Sequence, residues 1–121
     1  MLKGSWACTS CQNDGRDIPD ATRDKLRLEL TDSIYRTSVG EQMLFEGQYT
    51  VNERVHPKEM DILATSGPFE GQSALGIFEL SQKDELRLAY VMPGKTRPGE
   101  FKSIAGSGVA NTVWKRLPLD L

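Results

Sequence analysis

Residues 24–31 read DKLRLELT, and the alternation inside that stretch decides the fold. Leu26, Leu28 and Leu30 share one face of an extended chain, while Lys25, Arg27 and Glu29 share the other. A strand that is apolar on one side and charged on the other belongs in an antiparallel sheet with one wet face. Working outward, the same period of two recurs in both directions. Upstream, GSWACTSCQ (residues 4–12) reads as a first strand that ends at the turn-forming Asn13-Asp14-Gly15. Between the two lies IPDATRD (18–24), where Asp20 is expected to cap one helical turn near residues 19–24.

Downstream, SIYRTSV (33–39) follows a turn at Thr31-Asp32. GEQMLFEGQYTVN (40–52) then sets Met43, Phe45, Gly47, Tyr49 and Val51 on one face. Gly47, in mid-strand, suggests a bulge or a sharp bend. EMDILAT (59–65) keeps Met60, Ile62 and Ala64 in phase. QSALGIFELS (72–81) is a further strand, and DELRLAYVM (84–92) aligns Leu86, Leu88, Tyr90 and Met92. The glycine- and proline-rich PGKTRPGEFKSIAGSG (93–108) leads into a last strand, VANTVWKRL (109–117).

About eight strands joined mostly by hairpin-length links predict an all-β antiparallel meander. Closure into an up-and-down barrel removes its exposed edges, and a β-sandwich is the competing arrangement. The 121 residues are expected to form a single domain, 1–121.

Composition narrows the function classes. Fifteen basic and seventeen acidic residues give a formal charge of −2 with no block of one sign, which argues against nucleic acid as a partner. No run approaches the 18 apolar residues of a membrane-spanning helix. Two cysteines and one histidine are too few for a complete zinc site, so neither metal nor cofactor is expected. MLKGSW carries no basic and apolar leader, so localisation is open: cytoplasmic as it stands, periplasmic or secreted if an export signal has been removed.

The ordered series LKGSW, FEGQYTV, GPFEGQSALGIFEL, DELRLAYVMPGKTRPGEF, GSG and WKRL resembles a small uncharacterised bacterial domain family. That family is abundant in planctomycetes and is described as lipocalin-like. The resemblance runs from Leu2 to Leu117 and rests chiefly on G-I-F-E-L, P-G-K-x-R-P-x-E-F and G-S-G. It implies a lipocalin-like barrel and no established activity. It also implies roles for two residues at the barrel seam. Gly4-Ser5-Trp6 matches the lipocalin G-x-W, and Arg116 matches the basic residue that packs over the tryptophan as a cation–π contact.

Candidate sites follow from the inward face. Trp6, Leu28, Phe45, Tyr49, Ile62, Leu88 and Tyr90 either line an apolar pocket or meet and fill the barrel as a core. Lys95 and Arg97 are expected at the pocket mouth, where Arg97 either anchors an anionic group or pairs with a carboxylate and pins its loop over Phe101. AGSG (105–108) is either a backbone anion nest or a plain turn.

Catalytic constellations are missing: His56 sits in a polar loop before Pro57, no serine has a G-x-S-x-G setting, and Asp14/Asp17 and Asp84/Glu85 are turn carboxylates. Cys8 and Cys11 form a C-x-x-C, yet three extended residues separate their Cα atoms by about 10 Å, beyond the ~7 Å reach of a disulfide. Regular alternation also sends Cys8 inward and Cys11 outward, unless a bulge near Thr9-Ser10 intervenes.

The expected function is therefore a non-enzymatic binding module for a small hydrophobic or amphipathic ligand. The alternative is a protein-interaction or inhibitor-type domain using the 93–101 loop or an outer sheet face. A structural module within a larger envelope protein is a third reading. The apolar tail LPLDL (117–121) is expected to pack on a partner or on the barrel end.

Overall fold

The computed structural model describes residues 2–81 and 84–118. The expectation for the tail falls mostly on Leu119–Leu121, outside those residues. Ten elements follow one another: β1 (Gly4–Asn13), β2 (Arg16–Asp17), α1 (Asp20–Arg23), β3 (Leu26–Leu30), β4 (Ile34–Val39), β5 (Gln42–Asn52), β6 (Lys58–Ala64), β7 (Ser73–Leu80), β8 (Glu85–Val91) and β9 (Ala110–Arg116). Every strand pairs antiparallel with its neighbours in the order β2-β1-β3-β4-β5-β6-β7-β8-β9. A further β1–β9 pairing closes the sheet. Because β2 is only a two-residue flap on β1, the wall is a closed eight-stranded up-and-down antiparallel barrel.

β1 is the seam. Its first half, Gly4–Ala7, pairs with β3, and it pairs with β9 from Trp6 to Asn13. The leucines of β3 are all buried inside and its charged residues face outward, as alternation dictates. Local chemistry supports the turns. Asp14 and Gly15 both adopt positive φ (53° and 81°), which suits a tight two-residue hairpin. The Thr31 hydroxyl accepts from the Ile34 amide at 2.9 Å and so closes the β3–β4 link. α1 is a single turn whose N-cap is Pro19 rather than Asp20; Asp20 lies in the first turn and pairs with Arg23 at 3.1 Å.

Two irregularities alter the phase of the strands. In β1, Cys8 pairs with Trp114 and Ser10 with Val113, so Thr9 is an extra, bulged residue. In β5, Thr37 pairs with Phe45 and Ser38 with Met43, so Leu44 is bulged. The β5 bulge thus sits at Leu44 and not at Gly47, and Met43 is left half-exposed instead of sharing the face of Phe45. Gly47 serves a different end: a Cβ there would lie 2.5 Å from the Leu63 carbonyl oxygen and 2.9 Å from Ile62 Cγ2. The strand can coil this tightly against β6 only without a side chain.

The main core fills the end of the barrel where β1 begins. Trp6, Leu28, Leu30, Met60, Leu86 and Leu88 are 2% exposed or less. A second, smaller core lies on the outside of the wall. There the long connection from β8 to β9 folds back, and Phe101 and Val109 pack on Leu75, Ile77, Ala89 and Val91. Among the described residues, no helix is long and apolar enough to cross a membrane.

Candidate functional site

The two ends of the barrel differ. At the end holding the β3–β4 and β5–β6 links, the interior is plugged and the strands are tied together. The Arg116 guanidinium lies 4.3 Å from the centre of the Trp6 ring and donates to the Lys3 carbonyl at 2.6 Å and to Asp84 at 3.0 Å. The Trp6 indole N–H donates to the Leu2 carbonyl at 3.0 Å. Gly4, at φ 145°, leaves room for this arrangement, since a Cβ would stand 2.8 Å from Arg116 Nη1. The Tyr49 hydroxyl donates to the Thr31 carbonyl at 2.6 Å.

Toward the opposite end the inward side chains become small, and a cavity of about 290 Å³ opens. Ala74, Thr37, Thr112 and Ala110 contribute to its wall where larger residues would have met across the axis. Leu26, Val39, Leu44, Phe45, Ile62, Met92 and Trp114 make the lining predominantly apolar. Ile18 and Thr22, flanking and within α1, stand at the mouth. The polar groups on the wall are few: Cys11, Asn13, Tyr35, Tyr90 and the threonine hydroxyls.

The sequence-derived candidates therefore divide. Phe45, Ile62 and Tyr90 line the cavity, whereas Trp6, Leu28 and Leu88 belong to the plug and Tyr49 to the closed end. Lys95 lies against Gly108, a residue of the cavity rim. Arg97 is elsewhere, on the outer wall. Its guanidinium donates to the Gly76 carbonyl at 2.9 Å and pairs with Asp61 at 2.6 Å and Glu59 at 3.7 Å, both of which alternate outward on β6. Arg97 thus pins the loop to the sheet. Phe101 is half-buried against the outer core beneath the Arg87 guanidinium, 4.6 Å from the ring centre.

The glycine turn is likewise committed. The Gly108 amide donates to the Asp14 carboxylate at 2.8 Å, and Ser103 bridges the Gly15 amide and the Val109 carbonyl, each at 2.7 Å.

Sequence reading found Phe45, Ile62 and Tyr90 but missed most of the lining, including its polar residues Cys11 and Tyr35. The Thr9 bulge returns Cys11 to the inner face, so the two thiols lie on the same side instead of on opposite faces. Both cysteines are free. The two thiols lie close enough to perturb each other, and Cys8 donates to the Ser10 carbonyl at 3.2 Å. The contact with Cys11 lowers the pKa of Cys8 against the opposing effect of burial, while Cys11 is raised by the same contact and by burial. Tyr35 was within reach of the alternation Tyr35, Thr37, Val39, which shares one face of β4.

Burial raises both phenols, Tyr90 to about 12 and Tyr35 well above its ordinary value, so both keep their protons at neutral pH. Tyr35 also meets Phe45 edge-to-face, with ring centres 6.2 Å apart. Among the described residues, no three His, Cys, Asp or Glu side chains converge as metal ligands. Chemically, the interior offers shape, apolar surface and a few neutral hydrogen-bonding groups. No family model matches the chain, and no curated protein matches it.

Proposed function

We propose that this barrel is a non-enzymatic, lipocalin-like binding module that takes a small hydrophobic or amphipathic molecule into its open end. The observation that carries the reading is the cavity of about 290 Å³, apolar in lining and continuous with one mouth. An engineered apolar cavity of ~150 Å³ accommodates benzene, so this volume corresponds to roughly a dozen non-hydrogen atoms. The plugged end supports the same reading, because it holds the barrel closed without any contribution from a ligand. The Tyr35 and Tyr90 phenols and the Cys11 thiol on the cavity wall are neutral groups whose protons burial helps to hold, which suits recognition better than acid–base chemistry near pH 7. The rival reading, a partner-binding loop at residues 93–101, loses force because Arg97 and Phe101 fasten that loop to the wall.

The test is nuclear magnetic resonance titration of the full chain with naphthalene. Shifts concentrated on Phe45, Ile62, Tyr90 and Trp114 are expected. Ala74→Leu and Ala110→Phe, which fill the cavity from two sides, are expected to abolish them while each variant still unfolds cooperatively. Shifts on the outer wall alone, or none up to the solubility limit, would overturn the reading.

A further inference from the structure

We propose that the ligand is an uncharged molecule carrying a hydroxyl or carbonyl group, and that this group enters the barrel to hydrogen-bond the phenol of Tyr35. The inference rests on the barrel being a binding module and adds the chemical class of what it binds.

Tyr35 is 2% exposed and lines the cavity, yet its hydroxyl has no hydrogen-bond partner. The phenol of Tyr90 stands close enough to affect its ionisation but outside hydrogen-bonding geometry. Buried hydroxyls are nearly always satisfied, so an orphan facing a cavity marks a place where a partner arrives from outside the chain. Neighbouring polar groups are already engaged within the chain. The Thr112 hydroxyl donates to the Leu88 carbonyl at 3.0 Å and accepts from the Trp114 indole at 2.8 Å. The Cys8 thiol donates to the Ser10 carbonyl at 3.2 Å. Among the described residues lining the cavity, the Tyr35 hydroxyl is the fully buried polar group left without a partner.

The charge inventory excludes an ionised head group inside. None of the described residues lining the cavity is charged. Arg23, on α1 at the mouth, is held by Asp20 at 3.1 Å and Asp24 at 3.5 Å. Arg97 is on the outer wall, and Lys95 lies at the rim beside Gly108. A carboxylate drawn into the barrel would therefore lose its hydration with no counter-ion to replace it. A neutral hydroxyl or carbonyl suffers a far smaller loss and gains the phenol, which offers both a donor and two lone pairs.

Three probes of one shape separate the possibilities: naphthalene, 2-naphthol and 2-naphthoate, each titrated calorimetrically into the full chain at pH 7. 2-Naphthol is expected to bind roughly three- to tenfold tighter than naphthalene, the range of one neutral hydrogen bond. 2-Naphthoate is expected to bind at least tenfold more weakly than 2-naphthol. On Tyr35→Phe the ratio of 2-naphthol to naphthalene affinity should fall to about one, and on Tyr90→Phe it should persist.

If naphthalene and 2-naphthol bind equally, or if the ratio survives Tyr35→Phe, the assignment to Tyr35 is wrong while the binding module stands. If 2-naphthoate binds tightest and Lys95→Ala removes that preference, the head group is anionic and stays at the rim, which overturns the inference. If none of the three binds, the binding-module reading itself fails.

Discussion

Replacing Arg116 by alanine tests whether one end of the barrel carries its stability. The side chain is 24% exposed, and three of its contacts can be weighed. Its guanidinium over Trp6 is a partly desolvated cation–π pair, worth about 1 kcal/mol. The bond to the Lys3 carbonyl is charge-assisted and short, worth about 1 kcal/mol after allowing for exposure. The pair with Asp84, whose side chain is 63% exposed, adds about 0.5 kcal/mol. Arg116→Ala is therefore expected to cost about 2.5 kcal/mol. For a chain of this length the entropy of unfolding is about 0.25 kcal/mol per degree at the midpoint, so Tm should drop by about 10 °C. The assay is urea and thermal unfolding followed by circular dichroism. Arg116→Lys keeps the charge but loses the planar stack, and it should recover less than half of the loss. A cost below about 1 kcal/mol for the alanine variant, or full recovery with lysine, would refute the view that a guanidinium on an indole secures the seam.

Other consequences can be measured separately. Gly47→Ala places a methyl 2.5 Å from the Leu63 carbonyl oxygen, so it should destabilise by about 2 kcal/mol in urea titrations, and a change below about 0.5 kcal/mol would mean that β5 relaxes freely there. In alkali, an unfolded phenol ionises near pH 10 whereas Tyr90 holds its proton to about 12, so the unfolded chain binds fewer protons in that window. Stability is thus complete below about pH 10 and declines between 10 and 12, by roughly 2–3 kcal/mol for Tyr90; Tyr90→Phe should flatten the profile, and an unchanged slope would count against it. N-Ethylmaleimide should label Cys11 slowly through the cavity and spare the buried Cys8 until the chain unfolds, with naphthalene slowing the reaction; equal rates at both thiols would contradict the assigned faces.

What could be read from the sequence followed from side-chain alternation, and what could not followed from backbone irregularity. Leu26, Leu28 and Leu30, or Leu86 and Leu88, announce their faces because two residues of strand return the chain to the same side. The bulges at Thr9 and Leu44 carry no such signature: neither is glycine, and the extra residue is set by how the closed sheet must coil. Each bulge reverses the phase beyond it, which is why Cys11 was expected outside and is inside. The placement of Arg97 failed for another reason. Eighteen residues (92–109) join β8 to β9, long enough to lie down along the outer wall, and no local pattern says which surface such a segment will choose. The hollow half was partly legible. Small residues fall at inward positions of β4, β7 and β9 on the open side, and Trp6, Leu28 and Leu88 fall on the other.

That size gradient separates two demands that a filled core would set against each other. A barrel interior packed throughout gains dispersion and burial along its whole length, and an open cavity forgoes both. Here the loss is confined to one end, because the seam contacts of Arg116 and Trp6, the Tyr49 bond to Thr31 and the leucine plug all lie at the other. The mouth is held in shape separately, from outside, by Asp14 on Gly108 and by Ser103 on Gly15. An unpartnered Tyr35 hydroxyl is unfavourable, and the same desolvation that makes it so makes a bond to it more valuable. On the proposed binding reading, substitutions at the plugged end should shift Tm without changing which molecules enter, whereas Tyr35→Phe should change which molecules enter with little shift in Tm.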